Sequence, residues 1–370
     1  MLQKPQTTLV ALVLISLLSL TLLSCEPSDS AESMFSNYLW RLSNSLELDL
    51  DIVDPPADLP RYATRRELLY SIPSININLL EFLKLSRCDL QRHIGQRNSA
   101  LGKVMKDSQI LIYDSVFIQL AQECLTHYEP TDPLYITLAT ALEHKQRYLP
   151  ELIWNASFAS DEFQQLFSLG AKPFDYTSLS NNPVELIYAL EQMADFLAQL
   201  AVNRADISDA ETAQAFEQAL GVIGSSKYIG ALRLSMKKVR YTFAQADQLL
   251  QVRLDKRPLC TATRPNNAQF NIVNTVFQKF YIGDVQPYIA KLYQRAERVF
   301  AAIDQLQARQ KTNPDFNIYW QNLYAGPNSE WHTYKQAIEQ HRAGWQSLFV
   351  QCGALPFGGQ RAEDRGQWGG

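Results

Sequence analysis

Residues 229–250 read IGALRLSMKKVRYTFAQADQLL, and the spacing of their apolar side chains decides the fold. Ile229, Leu232, Met236, Val239, Phe243, Ala246 and Leu250 recur at alternating steps of three and four. That period lines one side of an α-helix. It returns in Ile110, Tyr113, Phe117, Leu120 and Cys124, in Ile187, Leu190, Ala194 and Leu197, and in Leu292, Ala296, Val299, Ile303 and Leu306. No comparable run alternates at period two, so strands are scarce. Such stripes suit helices that pack at shallow angles. The expected fold is all-α, a bundle of long and mostly antiparallel helices.

Breaks between the helices fall where Pro, Gly or Asx residues stop or cap them. They are Asp54-Pro55-Pro56 with Pro60, Met105 to Asp107, Thr131-Asp132-Pro133, Gly170 to Pro173 and Asn181-Asn182-Pro183. Pro258 to Asn267, Asn313-Pro314 and Gly326-Pro327-Asn328 follow. No repeat of fixed period appears, which argues against a solenoid. The expected organisation is a signal segment at 1–24, an acidic lipid-anchored segment at 25–60 and an all-α domain at 61–356. A flexible tail follows at 357–370. The helical domain either divides near 170–182 or shares one core throughout.

The N-terminus carries Lys4 and then an apolar run of 15 residues, Leu9 to Leu23. A membrane-spanning helix needs about 20, whereas this length suits the apolar region of a secretory signal. The ending Leu22-Leu23-Ser24-Cys25 resembles a bacterial lipobox. That resemblance implies cleavage before Cys25, with a diacylglyceryl group and palmitate on the cysteine. An ordinary secretory signal with a coincidental cysteine is the other reading. By similarity to sorted lipoproteins, Glu26 in place of an aspartate implies the outer membrane, facing the periplasm.

Export bears on the remaining cysteines, Cys88, Cys124, Cys260 and Cys352. An even count in an oxidising compartment suggests two disulfides, with three connectivities open. There is no C-x-x-C pair, so zinc and thioredoxin-like chemistry are disfavoured. Residue 106, midway between Cys88 and Cys124, falls at the break before Asp107. A helix running to Lys103 and another starting near Asp107 would set the two cysteines side by side. A helix stopping at Gly95 would offset them by about 16 Å, too far for a bridge. The expectation is a Cys88–Cys124 bridge, with Gly95 and Gly102 in or at the edge of a helix. Cys260–Cys352 follows by elimination.

The net charge of −4 conceals local imbalance. Residues 26–60 hold eight acids against Arg41, and residues 61–106 hold nine cations against three acids. Residues 225–257 carry eight more cations against Asp247 and Asp255. Each basic stretch calls for an acidic neighbour, within the chain or outside it.

Several runs resemble a family of bacterial lipoproteins known only as domain of unknown function 3080. They are Leu59-Pro60-Arg61-Tyr62, Arg65-Arg66-Glu67-Leu68, Leu85 to Leu90, Arg97 to Val104, Val285-Gln286-Pro287-Tyr288, and Trp331 to Trp345 with Cys352-Gly353. The resemblance implies lipoprotein character and a helical fold, and it carries over no catalytic residue.

The stretch CDLQRHIGQRNSALGKV, residues 88–104, raises the one chemical question. It sits inside what reads as a longer helix, whose stripe of Leu80, Leu83, Leu90, Ile94, Leu101 and Val104 has Arg87 and Arg97 in slots that packing would fill with leucines. A half-buried guanidinium needs partners, and no acid lies within a helical turn of Arg97. One reading is an internal clasp to a carboxylate, with residues 26–60 as a source. The other is an anion site for phosphate or carboxylate built from Arg61, Arg65, Arg66, Arg87, Arg97, Asn98, Ser99 and Lys103, since the planar fork of arginine suits both ligands.

Other signals are weaker. Ser235-Met236-Lys237-Lys238 matches S-x-x-K but lacks its companion motifs, so a solvated helix face explains it. The five histidines are scattered, and His93 has Asp89 four residues before it as a surface partner. Trp331, Tyr334, Ile338, His341, Trp345 and Leu348 form either a core stripe or an aromatic shelf for sugar. No metal site, cofactor motif or phosphate loop is present, and a periplasmic address excludes nucleic acid. Together these features favour a lipid-anchored, non-enzymatic periplasmic protein that binds an envelope protein or an anionic envelope component. The alternative is an enzyme of envelope metabolism with an anion site at Arg97, Asn98 and Ser99.

Overall fold

The computed structural model describes residues 30–49, 59–75, 85, 88–97, 99–100, 102–180, 182–201, 210–261, 263–264 and 267–354. The signal segment, Cys25, Arg87, Asn98 and the tail at 357–370 lie outside these residues. The helices in chain order are α1 (Ala31–Leu46), α2 (Arg65–Leu68), α3 (Leu90–Arg97), α4 (Asp107–Leu125) and α5 (Pro133–Arg147). Next come α6 (Leu149–Asn155), α7 (Asp161–Leu166), α8 (Val184–Ala201), α9 (Ala210–Ser225) and α10 (Tyr228–Lys256). The last four are α11 (Ala268–Val276), α12 (Gln286–Ala308), α13 (Pro314–Trp320) and α14 (Glu330–Gln351). A π-helical segment, Phe277–Val285, joins α11 to α12, and another, Gln321–Ala325, continues α13. Among the described residues no strand forms, only an isolated bridge between Thr261 and Arg264. None of the described helices is long and apolar enough to cross a membrane.

The breaks act as caps. Asp132 accepts from the Leu134 amide with Pro133 in the first helical turn, and Asn313 does the same for Asp315 ahead of Pro314. Both use the proline where its missing N–H costs nothing. Ser30, Asn267 and Ser329 cap α1, α11 and α14 through their side chains.

The stripe of residues 229–250 is buried throughout and packs α10 along α14, with α1 laid against α10 and α11. The stripes of α8 and α12 are buried too, whereas Ile110 and Leu120 of α4 are only half-buried. Gly230 is needed where α10 meets the turn after α7, because a Cβ there would collide with the Ser168 carbonyl. The aromatic stripe of α14 is core, with Trp331, Tyr334, His341, Trp345 and Leu348 all buried.

Both disulfides form, Cys88–Cys124 with a Cα–Cα distance of 5.5 Å and Cys260–Cys352 with 4.9 Å. The hairpin beneath the first differs from the expected pair of matched helices. Within the described residues α3 begins at Leu90 and stops at Arg97, so no helix continues to Lys103, and Val104 is 76% exposed. Nine residues, 98–106, carry the chain to Asp107, and those of them that are described include a 3₁₀ turn at Gly102–Val104. At about 1.5 Å per residue α3 falls roughly 12 Å short of α4, and a connection of this length spans that gap. The offset that seemed to forbid an early helix end is thus taken up by the loop.

The acidic N-terminal segment also finds a different partner. Glu32 binds Lys238 at 2.5 Å, and Glu47 reaches Arg257 at 2.7 Å and Arg253 at 3.9 Å. Lys238 and Arg253 belong to α10, and Arg257 follows directly after it. Among the described residues the clasp therefore closes on the second basic stretch and not on residues 61–106.

Candidate functional site

A cleft of about 720 Å³ opens beside the α3–α4 hairpin. Its location follows from how α3 ends. The Ser99 hydroxyl donates to the Gln96 carbonyl at 2.7 Å and accepts from the Gly102 amide at 3.1 Å, folding the chain back over the last turn. Gly102 is required there, since a Cβ would collide with the Arg97 carbonyl. This turn leaves Arg97 and Lys103 at the rim of the cleft.

The walls come from distant parts of the chain. Helix α4 supplies Asp107, Ile110, Tyr113, Asp114 and Phe117, and α5 supplies Ala141, His144 and Lys145. The extended segment after α2 closes another side with Tyr70, Ile72 and Ile75. Asn155 pins that segment as a neighbouring strand would. The Tyr70 amide donates to Asn155 Oδ1, and Asn155 Nδ2 donates to the Tyr70 carbonyl, both at 2.9 Å. The Trp154 indole donates to the Leu68 carbonyl at 2.8 Å, and the Tyr70 hydroxyl to the Thr312 carbonyl at 2.9 Å.

The charges in and around the cleft are unevenly satisfied. Asp114 is buried and takes Lys145 at 2.6 Å. Burial still holds its carboxyl above the ordinary range, against the pull of Lys145, Arg97 and His93. Asp107 is taken by Arg65, which also reaches Asp161 at 3.6 Å. Arg97 acts on Asp114 and Tyr113 through space. Among the described residues it has no ion pair within 4.0 Å, and neither has Lys103. The internal carboxylate sought for Arg97 is therefore not found among them. His144 lines the same cleft with both ring nitrogens buried and without a hydrogen-bond partner. A neutral imidazole carries one donor and one acceptor, so two bonds remain to be made there.

The sequence-derived cationic set divides. Arg97 and Lys103 meet at the cleft, and Arg65 stands behind them on Asp107. Arg61 and Arg66 are exposed and do not line it, and Ser99 spends its hydroxyl on the turn. Arg87 and Asn98 lie outside the described residues. His93 does not pair with Asp89, which instead takes Arg92 at 3.4 Å. It stacks on the Tyr113 ring at 4.1 Å and donates from Nε2 to the Tyr113 carbonyl at 2.8 Å, and burial lowers its pKa. Asp114, His144 and Lys145 were missed from sequence. Asp114 did leave a signal, as a lone acid within the apolar run ILIYDSVFIQL at 110–120.

Elsewhere two buried polar side chains, His341 and Arg233, are engaged at every nitrogen. His341 is held between Asp247, 2.5 Å from Nδ1, and the Tyr38 hydroxyl, 2.7 Å from Nε2. A carboxylate can only accept, so Nδ1 carries the proton and Nε2 accepts from Tyr38. The Trp345 N–H lies 3.0 Å from the same hydroxyl. Burial lowers the His341 pKa and raises that of Tyr38 well above its ordinary value. Arg233, 0% exposed, grips Glu330 with Nε at 2.9 Å and Nη2 at 2.5 Å. It also donates to the Tyr319 hydroxyl and the Pro60 carbonyl. Ser235 of the S-x-x-K run is buried rather than solvated, donating to the Ala231 carbonyl and accepting from the Phe174 amide. It is therefore neither a nucleophile nor a surface residue.

Fold and site together define a disulfide-stapled all-α protein with an open cationic cleft at one hairpin. The profile of the family described as "Protein of unknown function (DUF3080)" matches residues 35–356, and the chain belongs to that family. No curated protein and no solved structure matches it.

Proposed function

We propose that the chain is a lipid-anchored envelope protein, held through Cys25 at the outer membrane on its periplasmic side, that captures an anionic ligand in the cleft. The observation that carries the ligand reading is Arg97, which borders about 720 Å³ of open cleft with no carboxylate partner among the described residues. A guanidinium so placed suits phosphate or carboxylate. The anchor is supported by the apolar run ending in Leu22-Leu23-Ser24-Cys25, and the two disulfides agree with an oxidising compartment. The enzyme alternative has less support, because the Ser99 hydroxyl is committed to its turn.

Thermal unfolding of the full chain with added inorganic phosphate tests the ligand reading. A ligand at a hundred times its Kd stabilises by about 2.7 kcal/mol, so Tm should rise in the wild type and not in Arg97→Gln. No rise in the wild type, or an equal rise in both, rejects the anion site. Separately, Cys25→Ser should abolish palmitate labelling and release the protein from membranes. Labelling and attachment that persist would overturn the anchor.

A further inference from the structure

We propose that the cleft binds a single-chain anionic lipid, with its aliphatic chain along the apolar floor and a carboxylate or phosphate head between Arg97 and Lys103. This rests on the anion reading above and narrows its ligand.

A small inorganic anion needs the two cations but not the space behind them. That space is floored by Ile94, Ile110 and Phe117 and walled by Ile72 and Leu152. Pockets of about 300–1,000 Å³ with apolar linings and a few placed polar groups suit ligands far larger than phosphate. The charge arithmetic sets the head group. Asp107 is spent on Arg65 and Asp114 on Lys145, which leaves Arg97 and Lys103 as rim cations without a carboxylate among the described residues. The segment that carries Tyr70 and Ile72 is pinned, because Asn155 bonds the main chain of Tyr70 in both directions. Cations, an apolar lining and a pinned segment together are the complement of an anionic amphiphile.

The test uses the full chain in phosphatidylcholine nanodiscs with a palmitate analogue bearing a diazirine on its chain, crosslinked positions being mapped by mass spectrometry. Crosslinks should fall on the α3 and α4 peptides that carry Ile94, Ile110 and Phe117. Palmitate and dodecyl phosphate should compete, and the better competitor identifies the head group; hexadecanol, uncharged, should not. Losing one charge-assisted contact weakens binding about tenfold to a hundredfold, so labelling should drop by at least that factor in Arg97→Gln/Lys103→Gln, which loses two. A second variant, Ile110→Trp, fills the floor and should reduce labelling while leaving the thermal response to phosphate intact. Labelling spread over the surface, competition by hexadecanol, or full labelling in both variants would overturn the lipid assignment. Competition by inorganic phosphate as strong as by palmitate would also overturn it while leaving the anion site standing. Absence of any phosphate response in the wild type would remove both.

Discussion

Two polar clusters in this molecule use the same residue types to opposite ends. His341 of α14 is satisfied on both nitrogens by α1 and α10, and Arg233 of α10 donates to Glu330, Tyr319 and the Pro60 carbonyl. At the α3–α4 cleft, His144 makes no hydrogen bond and Arg97 no ion pair among the described residues. Buried polar groups that are fully paired specify a core; those left open in a cleft are positioned for something else. A closed network contributes to stability, whereas an open one leaves hydrogen-bonding capacity unused.

That contrast breaks down if the two regions respond alike to substitution. The largest effects belong to the disulfides. Cys260–Cys352 closes a separation of 92 residues beside the closed region, and Cys88–Cys124 closes 36 beside the cleft. On chain-entropy grounds removing them should cost about 5 and about 4 kcal/mol respectively, read from urea unfolding of the Cys→Ala pairs. Next comes Glu330→Ala, which strands the Arg233 charge in the core and should cost about 3–5 kcal/mol. Retention of near-wild-type stability would show that this network is no scaffold.

The third effect depends on pH. His341 has a folded-state pKa below its unfolded value because of burial. Its stabilisation is therefore present above about pH 6.5 and is lost as pH falls through the folded value. His93 acts in the same direction. Asp114, raised by burial, acts in the opposite direction: its contribution is present below the unfolded carboxylate value and fades as pH rises through the folded one. Unfolding midpoints should thus fall between pH 7.5 and 5, and His341→Gln should flatten that slope. The smallest effect is Arg97→Gln, expected to change stability by less than about 0.5 kcal/mol while removing the response to phosphate. A large loss of stability there would make Arg97 a structural residue and erase the contrast.

Much of the closed region could be read from sequence, because long helices repeat their apolar period many times. The stripe of residues 229–250 is buried at every position. The disulfides were legible from the break before Asp107, although the loop that makes their register work was not. Its course depends on one hydroxyl of Ser99 and the missing side chain of Gly102, and neither alters periodicity. Ion pairs were harder still. Arg233 and Glu330 lie 97 residues apart, and Glu32 and Glu47 pair with Lys238 of α10 and Arg257 at its end rather than with the nearer basic run. Local charge balance signals that a partner is needed, but the packing of helices selects it. The cleft is legible only from both sides at once, since α3, α4, α5 and the segment after α2 each supply a fraction of it.

Helix α1 begins at Ala31 and is bound into the core at once, through Glu32 and then Tyr38. In the proposed anchoring only Glu26 to Ser30 separate the lipidated cysteine from that folded body. A stretch of five residues reaches about 18 Å when fully extended. The protein is then moored rather than leashed: it can roll against the bilayer but not range away from it. Its working volume is a thin layer above the lipid head groups, and whatever fills the cleft has to be found in that layer.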